Sequence, residues 1–226
     1  MRGFKIATTI ICATAIISIG CRPKQVPKAK SLSEVLREMK LDRYEDLVIE
    51  TIIGEYSTIY KGTADKLENN RQHNLELAAS IINSKVIQPG EEFSFNNAVG
   101  MRTIEGGFKV APVIVRGEYT SGIGGGICQV ATTLFNAAEL AGLKITERHK
   151  HSILADYVPR GKCATVSWGT RDFRFINSTK HPIVIRAIPC QAEGNAKTRE
   201  IHVEIATLEK VRRKVEPEHD SIMQVL

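Results

Sequence analysis

The sequence lacks the features that assign a chain to several common functional classes. It contains no run of lysines and arginines with interleaved aromatic residues, which a nucleic-acid-binding surface would need. It has no CxxC pair and no histidine at zinc-ligand spacing from a cysteine, so a structural zinc site is not predicted. No internal repeat is visible. We therefore expect no nucleic-acid partner, no metal and no cofactor.

The composition is that of a soluble globular protein. Hydrophobic residues make up 42% and charged residues 25% of the 226 positions, enough for one domain with a core and marginal for two. The formal net charge is +6, and Arg2 and Lys5 supply two of those charges. The remaining surplus suits an anionic substrate or surface, although an ordinary solvated surface of mixed charge explains it more simply.

The N-terminus has the three-part layout of a secretory signal. Met1 to Lys5 is basic, and Ile6 to Ile19 is uncharged and too short to cross a bilayer comfortably. Gly20-Cys21 follows, and the end of this stretch resembles a bacterial lipoprotein signal, in which Cys21 is lipidated. Ser18 departs from the aliphatic residue usual there. We expect a signal peptide over 1–20, a tether over 21–31 and a membrane-anchored, extracytoplasmic protein; an uncleaved anchor or plain secretion are the alternatives.

The pattern along the rest of the chain predicts one α+β domain over 32–226, with a core over about 45–205. An antiparallel sheet is expected to pack against a few helices, because helical periodicity dominates early and alternation dominates late. Helices are predicted over 32–44, 74–83 (beginning as early as Asn69 or Asn70) and 128–141. Strands are predicted over 46–60, 91–100, a hairpin within 108–120, and then 144–152, 162–169, 172–179, 181–188 and 200–209.

Cys128 is the residue most indicative of chemistry. Three glycines precede it, and it falls in the first turn of the helix predicted over 128–141. Unpaired N–H groups and the positive end of the helix dipole favour the thiolate there and can also bind a developing oxyanion. The alternative is a small buried cysteine behind glycines that serve close packing only. Of the other cysteines outside the signal, Cys163 and Cys190 are left as a possible disulfide.

A histidine and an acid downstream complete a predicted catalytic triad. His149 and His151 alternate on one predicted strand, and Asp172 opens another. Cysteine on a helix, histidine on a strand and acid on the next strand is the chain order of transglutaminase-like and papain-derived thiol enzymes. We assign Cys128 as nucleophile, His151 as base and Asp172 as the group that orients the imidazole. A surface or core histidine and a turn-capping aspartate are the alternatives.

The chain as a whole resembles the VanW family, named after a vancomycin-resistance accessory gene. The resemblance rests on an ordered series of blocks over about residues 45–205, whose sequences are PGEEFSFNNAVG, RTIEGGFKVAPVIVRGE, GIGGGICQVATTLFNAAELAGLKITERHKHS, YVPRGKCATVSWG and DFRFINSTKHPIVI. Cys163 stands where the family usually has an acid and is not carried over as a functional residue. Membership implies a role in the bacterial cell envelope, and the family includes peptidoglycan L,D-transpeptidases.

The resemblance implies a substrate, the peptidoglycan stem peptide, and directs attention to further residues. Gly125, Gly126 and the backbone N–H of Gln129 are candidates for the oxyanion site, and Thr132 for the wall of the cleft. Arg148 is the candidate for a bidentate grip on the terminal carboxylate, or forms a structural salt bridge. Arg102 and Glu105 lie in the same blocks without an assigned role.

Three functions follow from this interpretation. The first is a thiol acyltransferase that forms cross-links through a Cys128 thioester. The second uses the same site for hydrolysis, as an amidase or carboxypeptidase. The third is a non-catalytic wall-binding or scaffold module in which Cys128 is inert. The sequence does not predict the oligomeric state.

Overall fold

The structure, a computed structural model, describes residues 45–61, 65–115, 117–153, 155–192 and 198–213. The predicted signal peptide, tether and first helix lie outside these ranges. The chain divides into two compact units, and the larger contains residues 51–208. Of the smaller unit, residues 45–50 and 209–213 are described. No helix among the described residues is both long and apolar enough to cross a membrane.

Nine strands and three helices make up the described part of the chain. The strands are β1 (Glu45–Lys61), β2 (Val86–Ile87), β3 (Glu92–Ser94), β4 (Val110–Val115), β5 (Glu118–Ile123), β6 (Lys144–Glu147), β7 (Arg174–Ile176), β8 (Ile183–Gln191) and β9 (Thr198–Arg213). The helices are α1 (Lys66–Ile82), α2 (Phe95–Val99) and α3 (Ile127–Leu140). This arrangement confirms the predicted α+β class.

The strands form two sheets and a separate hairpin. The larger sheet has the order β1-β9-β8-β2, the smaller has the order β3-β7-β6, and β4 pairs only with β5 among the described strands. The β8–β9 pair is antiparallel and continuous from Ile183 opposite Thr207 to Gln191 opposite Arg199. The predicted antiparallel sheet is thus confirmed, although it is divided into separate sheets.

Helix α3 lies in the centre of the core. The helical spacing of the apolar residues over 128–141 predicts a buried face at Ala131, Leu134, Phe135 and Ala138, and all four are buried. Phe135 packs edge-on against Phe173 with ring centroids 5.8 Å apart. Helix α1 packs against α3 and also against β4 and β8. A helix buried on most sides needs small residues at its closest neighbours, and alanines and glycines occupy those positions.

Two predicted strand regions fold differently. Over 91–100, only β3 is a strand and α2 follows, because the Ser94 hydroxyl accepts the N–H of Asn97 and caps the helix at 3.0 Å. Over 148–153 and 155–173 the chain is irregular apart from an isolated bridge between Ser167 and Arg171. The predictions of strands over 162–169 and of β6 continuing to 152 are therefore wrong.

The irregular segment is held by side chains of α3 instead of by a neighbouring strand. Thr132 Oγ1 donates to the carbonyl of Ala164 at 3.1 Å and accepts its N–H at 2.9 Å. Asn136 Nδ2 donates to the carbonyl of Lys162 at 2.8 Å. Because these bonds satisfy the backbone, an alternating sequence can follow the helix surface without joining a sheet.

Gly54 allows β1 to contact α3 directly, and this contact can be tested. A Cβ at this position would lie 2.4 Å from the carbonyl oxygen of Ala137 and 2.5 Å from the amide nitrogen of Ala141. We expect Gly54→Ala to lower the free energy of unfolding by about 1–3 kcal/mol, since a core cannot absorb this overlap without shifting backbone. Urea denaturation followed by circular dichroism measures the change.

Gly106→Ala is the matched control. A Cβ there would lie 3.4 Å from the Thr103 hydroxyl, an ordinary contact, and Gly106 does not have a positive φ. Its unfolding free energy should stay within about 0.5 kcal/mol of wild type. Equal midpoints for Gly54→Ala and the wild type would contradict the close packing of β1 on α3.

Candidate active site

A cleft of about 1500 Å³ opens beside the N-terminus of α3. Five of the sequence-predicted residues line it, and three, Asp172, Arg148 and Thr132, are not among its lining. The five are Cys128, His151, Gly125, Gly126 and Gln129. The cleft also holds residues to which the sequence assigned no role: Arg71, Arg102, Arg171, Tyr157 and Trp168.

Cys128 is the second residue of α3 and is half-buried. Its Sγ lies 3.5 Å from the Thr165 hydroxyl oxygen, and the N–H of Val166 donates to it at 3.5 Å. The thiol is also placed to donate to the carbonyl of Val166 at 3.5 Å. The N–H of Cys128 bonds to no acceptor among the described residues, so it is available to a ligand at the sulfur.

The other described cysteines have separate surroundings. Cys163 Sγ accepts the N–H of His151 at 3.4 Å, and Cys190 lies on β8 opposite Glu200 of β9. No disulfide joins the described cysteines. Of the described cysteines, Cys128 is the one that lines the cleft.

The glycines before Cys128 serve close packing, as one of the two sequence interpretations held. A Cβ on Gly125 would lie 2.3 Å from the carbonyl oxygen of Pro112 in β4. Gly126 caps α3 in the left-handed region with φ 105°, and a Cβ there would lie 2.8 Å from Arg71 Cγ of α1. Because β4 and α1 approach so closely, the first turn of α3 is fixed at the floor of the cleft.

Gln129 has a structural environment that contradicts its predicted role. Its N–H donates to the carbonyl of Gly126 at 2.9 Å and is not available to an oxyanion. Its buried amide accepts a bond from Arg71 Nη2 at 2.6 Å and donates to Thr58 Oγ1 and the carbonyl of Ile59, both at 3.0 Å. Gln129 thus joins α1, β1 and α3, and the N–H of Cys128 replaces it as the candidate oxyanion donor.

The polar groups of Arg148 and Thr132 are also engaged within the protein. Arg148 donates to the carbonyls of Cys163, at 2.9 Å, and Gly161, and its guanidinium carbon lies 4.2 Å from the ring centroid of Phe135. Thr132 is fully buried. Both residues hold the irregular segment against α3, so neither presents a free polar group to the cleft.

His151 shares the cleft with Cys128. It lies in the irregular segment and not on the predicted strand, and its buried Nδ1 has no hydrogen-bond partner among the described residues. Burial, and to a smaller extent the charge of Arg171, lower the pKa of His151. The ring is therefore neutral at pH 7 and able to accept a proton. The ring of His149, by contrast, bonds to Glu147 at 2.9 Å, and His149 does not line the cleft.

Asp172 does not act as the orienting member of a triad in this structure. Its buried carboxylate accepts bonds from the Ser94 hydroxyl at 2.5 Å and from the N–H groups of Asn96 and Phe173, both at 2.8 Å. Arg174 Nε donates a further bond at 2.9 Å. These bonds join α2 to the start of β7, and no hydrogen bond links Asp172 to His151 among the described contacts. No hydrogen bond joins His151 to Cys128 among the described contacts either, so the catalytic roles of these residues stay predictions.

Tyr157 is a functional candidate that the sequence did not reveal. Burial, and then the charge of Cys128, raise the pKa of its phenol well above the usual range. The group therefore keeps its proton near the sulfur at neutral pH and can donate a hydrogen bond. The sequence signal was weak, because a tyrosine before a proline in YVPRGK carries no periodicity that points to a site.

The described residues contain one group with the composition of a cation site, away from this cleft. Ligand atoms of Glu55, His202 and Glu204 lie within 4.8 Å of one another on β1 and β9. Nδ1 of His202 is hydrogen-bonded to Ser57 Oγ at 2.8 Å, and Nε2 is hydrogen-bonded to Glu204 at 3.0 Å. The bond to Glu204 raises the pKa of His202, although burial acts in the opposite direction. The imidazole of His202 thus lies within ion-pair distance of both carboxylates, at 3.9 Å from Glu55 and 3.0 Å from Glu204.

Comparison with known families identifies the chain. Residues 70–205 match the family model described as VanW like protein. This region is more than half of the sequence and contains both Cys128 and His151. The chain belongs to the VanW family. The resemblance that the sequence blocks carried is confirmed.

Two curated relatives match the VanW region of the chain. An uncharacterized protein of Bacillus subtilis, YoaR, is 50% identical over 135 residues, which are 60% of this chain and 43% of YoaR. The vancomycin B-type resistance protein VanW of Enterococcus faecalis is 32% identical over 117 residues, 50% of this chain and 42% of that protein. The matched region thus spans less than half the length of either relative. No solved structure matches the chain.

The hydrogen bonds of Asp172 indicate a structural role, and a substitution distinguishes this role from a catalytic one. We expect Asp172→Asn to lower the free energy of unfolding by about 2 kcal/mol, because a buried acceptor of charge-assisted bonds is replaced by a group that must donate as well. The rate at which iodoacetamide alkylates Cys128 should be unchanged in the folded variant. Chemical denaturation and mass spectrometry of the labelled peptide measure the two quantities.

Asp156→Asn is the control for loss of one negative charge near the sulfur, since Asp156 is an exposed residue of the cleft. Its stability should be close to wild type. An Asp172→Asn protein with wild-type stability and slow alkylation would instead restore Asp172 to a catalytic role.

Proposed function

We propose that this VanW-family protein is a cell-envelope thiol acyltransferase that acts on peptidoglycan stem peptides, an L,D-transpeptidase whose nucleophile is Cys128. The observation that carries the proposal is the position of Cys128 in the first turn of α3, on the floor of a cleft that it shares with the neutral His151. A relative named as a vancomycin resistance protein supports the envelope setting.

The first half-reaction follows from these groups. His151 takes the thiol proton of Cys128, and the sulfur attacks the carbonyl carbon of the third residue of a stem tetrapeptide. The tetrahedral oxyanion receives the N–H of Cys128, and the first turn of α3 adds the positive end of its dipole. The C–N bond to the terminal D-alanine then breaks, its nitrogen takes the proton from His151, and a thioester remains on the sulfur.

The second half-reaction uses the same residues. The side-chain amine of the third residue of a neighbouring stem attacks the thioester and passes its proton to His151. The C–S bond breaks, the thiol regains that proton, and a 3–3 cross-link is released. Attack by water would give a carboxypeptidase, so the cleft must hold the amine in preference to water for transfer to dominate.

The proposal includes a place in the cell. The lipoprotein-type signal predicted over 1–20 and lipidation of Cys21 would hold the folded domain at the outer face of the membrane. The tether predicted over 21–31 would let the cleft reach stem peptides in the wall. These segments lie outside the described residues, and the proposal rests there on the sequence alone.

Replacement of Cys128 tests catalysis directly. We expect Cys128→Ala, incubated with purified wall material, to form no new 3–3 cross-linked dimers, whereas the wild type forms them. Chromatography and mass spectrometry of the muropeptides measure the products, and the ratio of dimer to shortened stem distinguishes transfer from hydrolysis. Cys190→Ala is the matched control and should retain the products, because Cys190 lies on β8 and does not line this cleft. Identical muropeptides from wild type and Cys128→Ala would favour the non-catalytic binding module.

Replacement of His151 tests the proposed base. We expect His151→Ala to reduce the rate of cross-linking by about 10²-fold or more at pH 7, as loss of a general base does. His149→Ala should stay close to the wild-type rate, since that ring pairs with Glu147. Because burial lowers the pKa of His151, the neutral base persists below the ordinary value of about 6.5. Wild-type activity should therefore decline only below that pH. Equal rates for the two histidine variants would exclude His151 as the base.

A further inference from the structure

Arg102 is the most unusual charged group of the cleft. It lies in the loop between α2 and β4, and all three nitrogens of its guanidinium are buried without a hydrogen-bond partner among the described residues. Its guanidinium carbon lies 5.8 Å from the ring centroid of Phe95. A planar group with five N–H donors is thus held in the interior with its hydrogen bonds unmade.

Burial of a guanidinium without hydrogen-bond partners lowers the stability of a protein unless an anion binds to the group. An arginine removed from water loses hydration that only a carboxylate, a phosphate or several carbonyls restores. Burial lowers the pKa of Arg102, and the charges of Cys128 and Asp172 act in the opposite direction. The carboxylate of Asp172 is occupied by its bonds to α2 and to Arg174, so it attracts Arg102 without bonding to it.

The other arginines near the cleft are already engaged or exposed. Arg71 Nη2 donates to Gln129 at 2.6 Å, Arg148 is bonded to two backbone carbonyls, and Arg171 is exposed to solvent. Arg102 differs from these arginines. It lines the cleft, and its buried guanidinium has no hydrogen-bond partner among the described residues. The stem of Arg102 lies against the glycine loop that leads into α3, because a Cβ on Gly124 would lie 2.9 Å from Arg102 Cβ and Cγ, and Arg102 and Cys128 line the same cleft.

We propose that Arg102 binds a free carboxylate of the acyl donor, immediately beyond the carbonyl that Cys128 attacks. The planar fork matches a carboxylate through two parallel N–H···O bonds, whereas a single oxyanion would leave most of its donors unpaired. A peptide cleaved before its last residue carries its terminal carboxylate one residue from the attacked carbonyl. This assignment rests on the proposed function and gives Arg102 the carboxylate-binding role that the sequence had assigned to Arg148.

The role makes the site selective for donors that end at the residue after the scissile bond. A donor with a neutral C-terminus would enter the cleft and leave the buried guanidinium unpaired. Since an unpaired buried charge is penalised strongly, selection between the two donors should be large. A structural arginine would show no dependence on the charge of the donor.

The test measures binding in the Cys128→Ala background, where no turnover occurs. The probes are the tetrapeptide L-Ala-γ-D-isoglutaminyl-L-Lys-D-Ala as the free acid and the same peptide as the C-terminal amide, so that only one carboxylate differs. Isothermal titration of the full chain should give at least about tenfold tighter binding of the free acid. Adding Arg102→Gln should abolish that preference, and Arg102→Lys should restore part of it, because a point charge remains without the fork.

Arg171→Gln is the matched control, since it removes an exposed cation from the same cleft; the preference should survive. Thermal unfolding separates a binding from a structural role: Arg102→Gln should unfold at the wild-type temperature or above, because an uncompensated buried charge is removed. Equal binding of the two peptides, binding of neither, a preference that survives Arg102→Gln or a clear loss of stability would each overturn the assignment. If the protein prefers the free acid but forms no cross-links, the carboxylate site of Arg102 stands and the proposed transferase function is wrong.

Discussion

The close packing around α3 is the constraint on which the rest of the structure depends. The helix is buried along most of its length, and neighbouring backbone reaches it only where side chains are absent, at Gly54 of β1 and at Gly125 before its first turn. A helix enclosed in this way cannot shift along its axis without overlapping β1 or β4. Its first turn, with Cys128 and the free N–H of that residue, is therefore placed firmly at the floor of the cleft.

The irregular segment, which contributes His151 to the cleft, is held by the same helix through polar contacts. Thr132 and Asn136 satisfy the backbone of the irregular segment at Ala164 and Lys162, and Arg148 spans the same segment above Phe135. This arrangement brings Val166 to the sulfur. Buried polar residues that looked available for substrate in the sequence are instead used to shape the site. The segment needs them because it has no neighbouring strand to satisfy its backbone.

The electrostatics of the cleft are set by burial more than by charge pairing. His151 is kept neutral, the phenol of Tyr157 keeps its proton, and Arg102 keeps a positive charge without a partner. These three side chains line the same cleft as Cys128. Glu55 and Glu204 form a separate cluster with His202 on β1 and β9.

The sequence by itself determined the local features of this protein. Alternation predicted β1, β8 and β9, helical periodicity predicted α3 with its apolar face, and the three glycines indicated the position of Cys128 at a helix start. The ordered series of sequence blocks also indicated the family. These features depend on residues that are neighbours in the chain, and short-range pattern is sufficient to predict them.

The tertiary structure decided which polar groups are free. Asp172, Gln129 and Arg148 have the residue types that a site needs, yet each is occupied by partners from distant parts of the chain. Arg102 has nothing in its local sequence to distinguish it from Arg148, and only the fold leaves its guanidinium unpaired. Some hydrogen-bond partners lie more than a hundred residues apart in this chain, as Ser57 and His202 do, and no local pattern encodes that pairing.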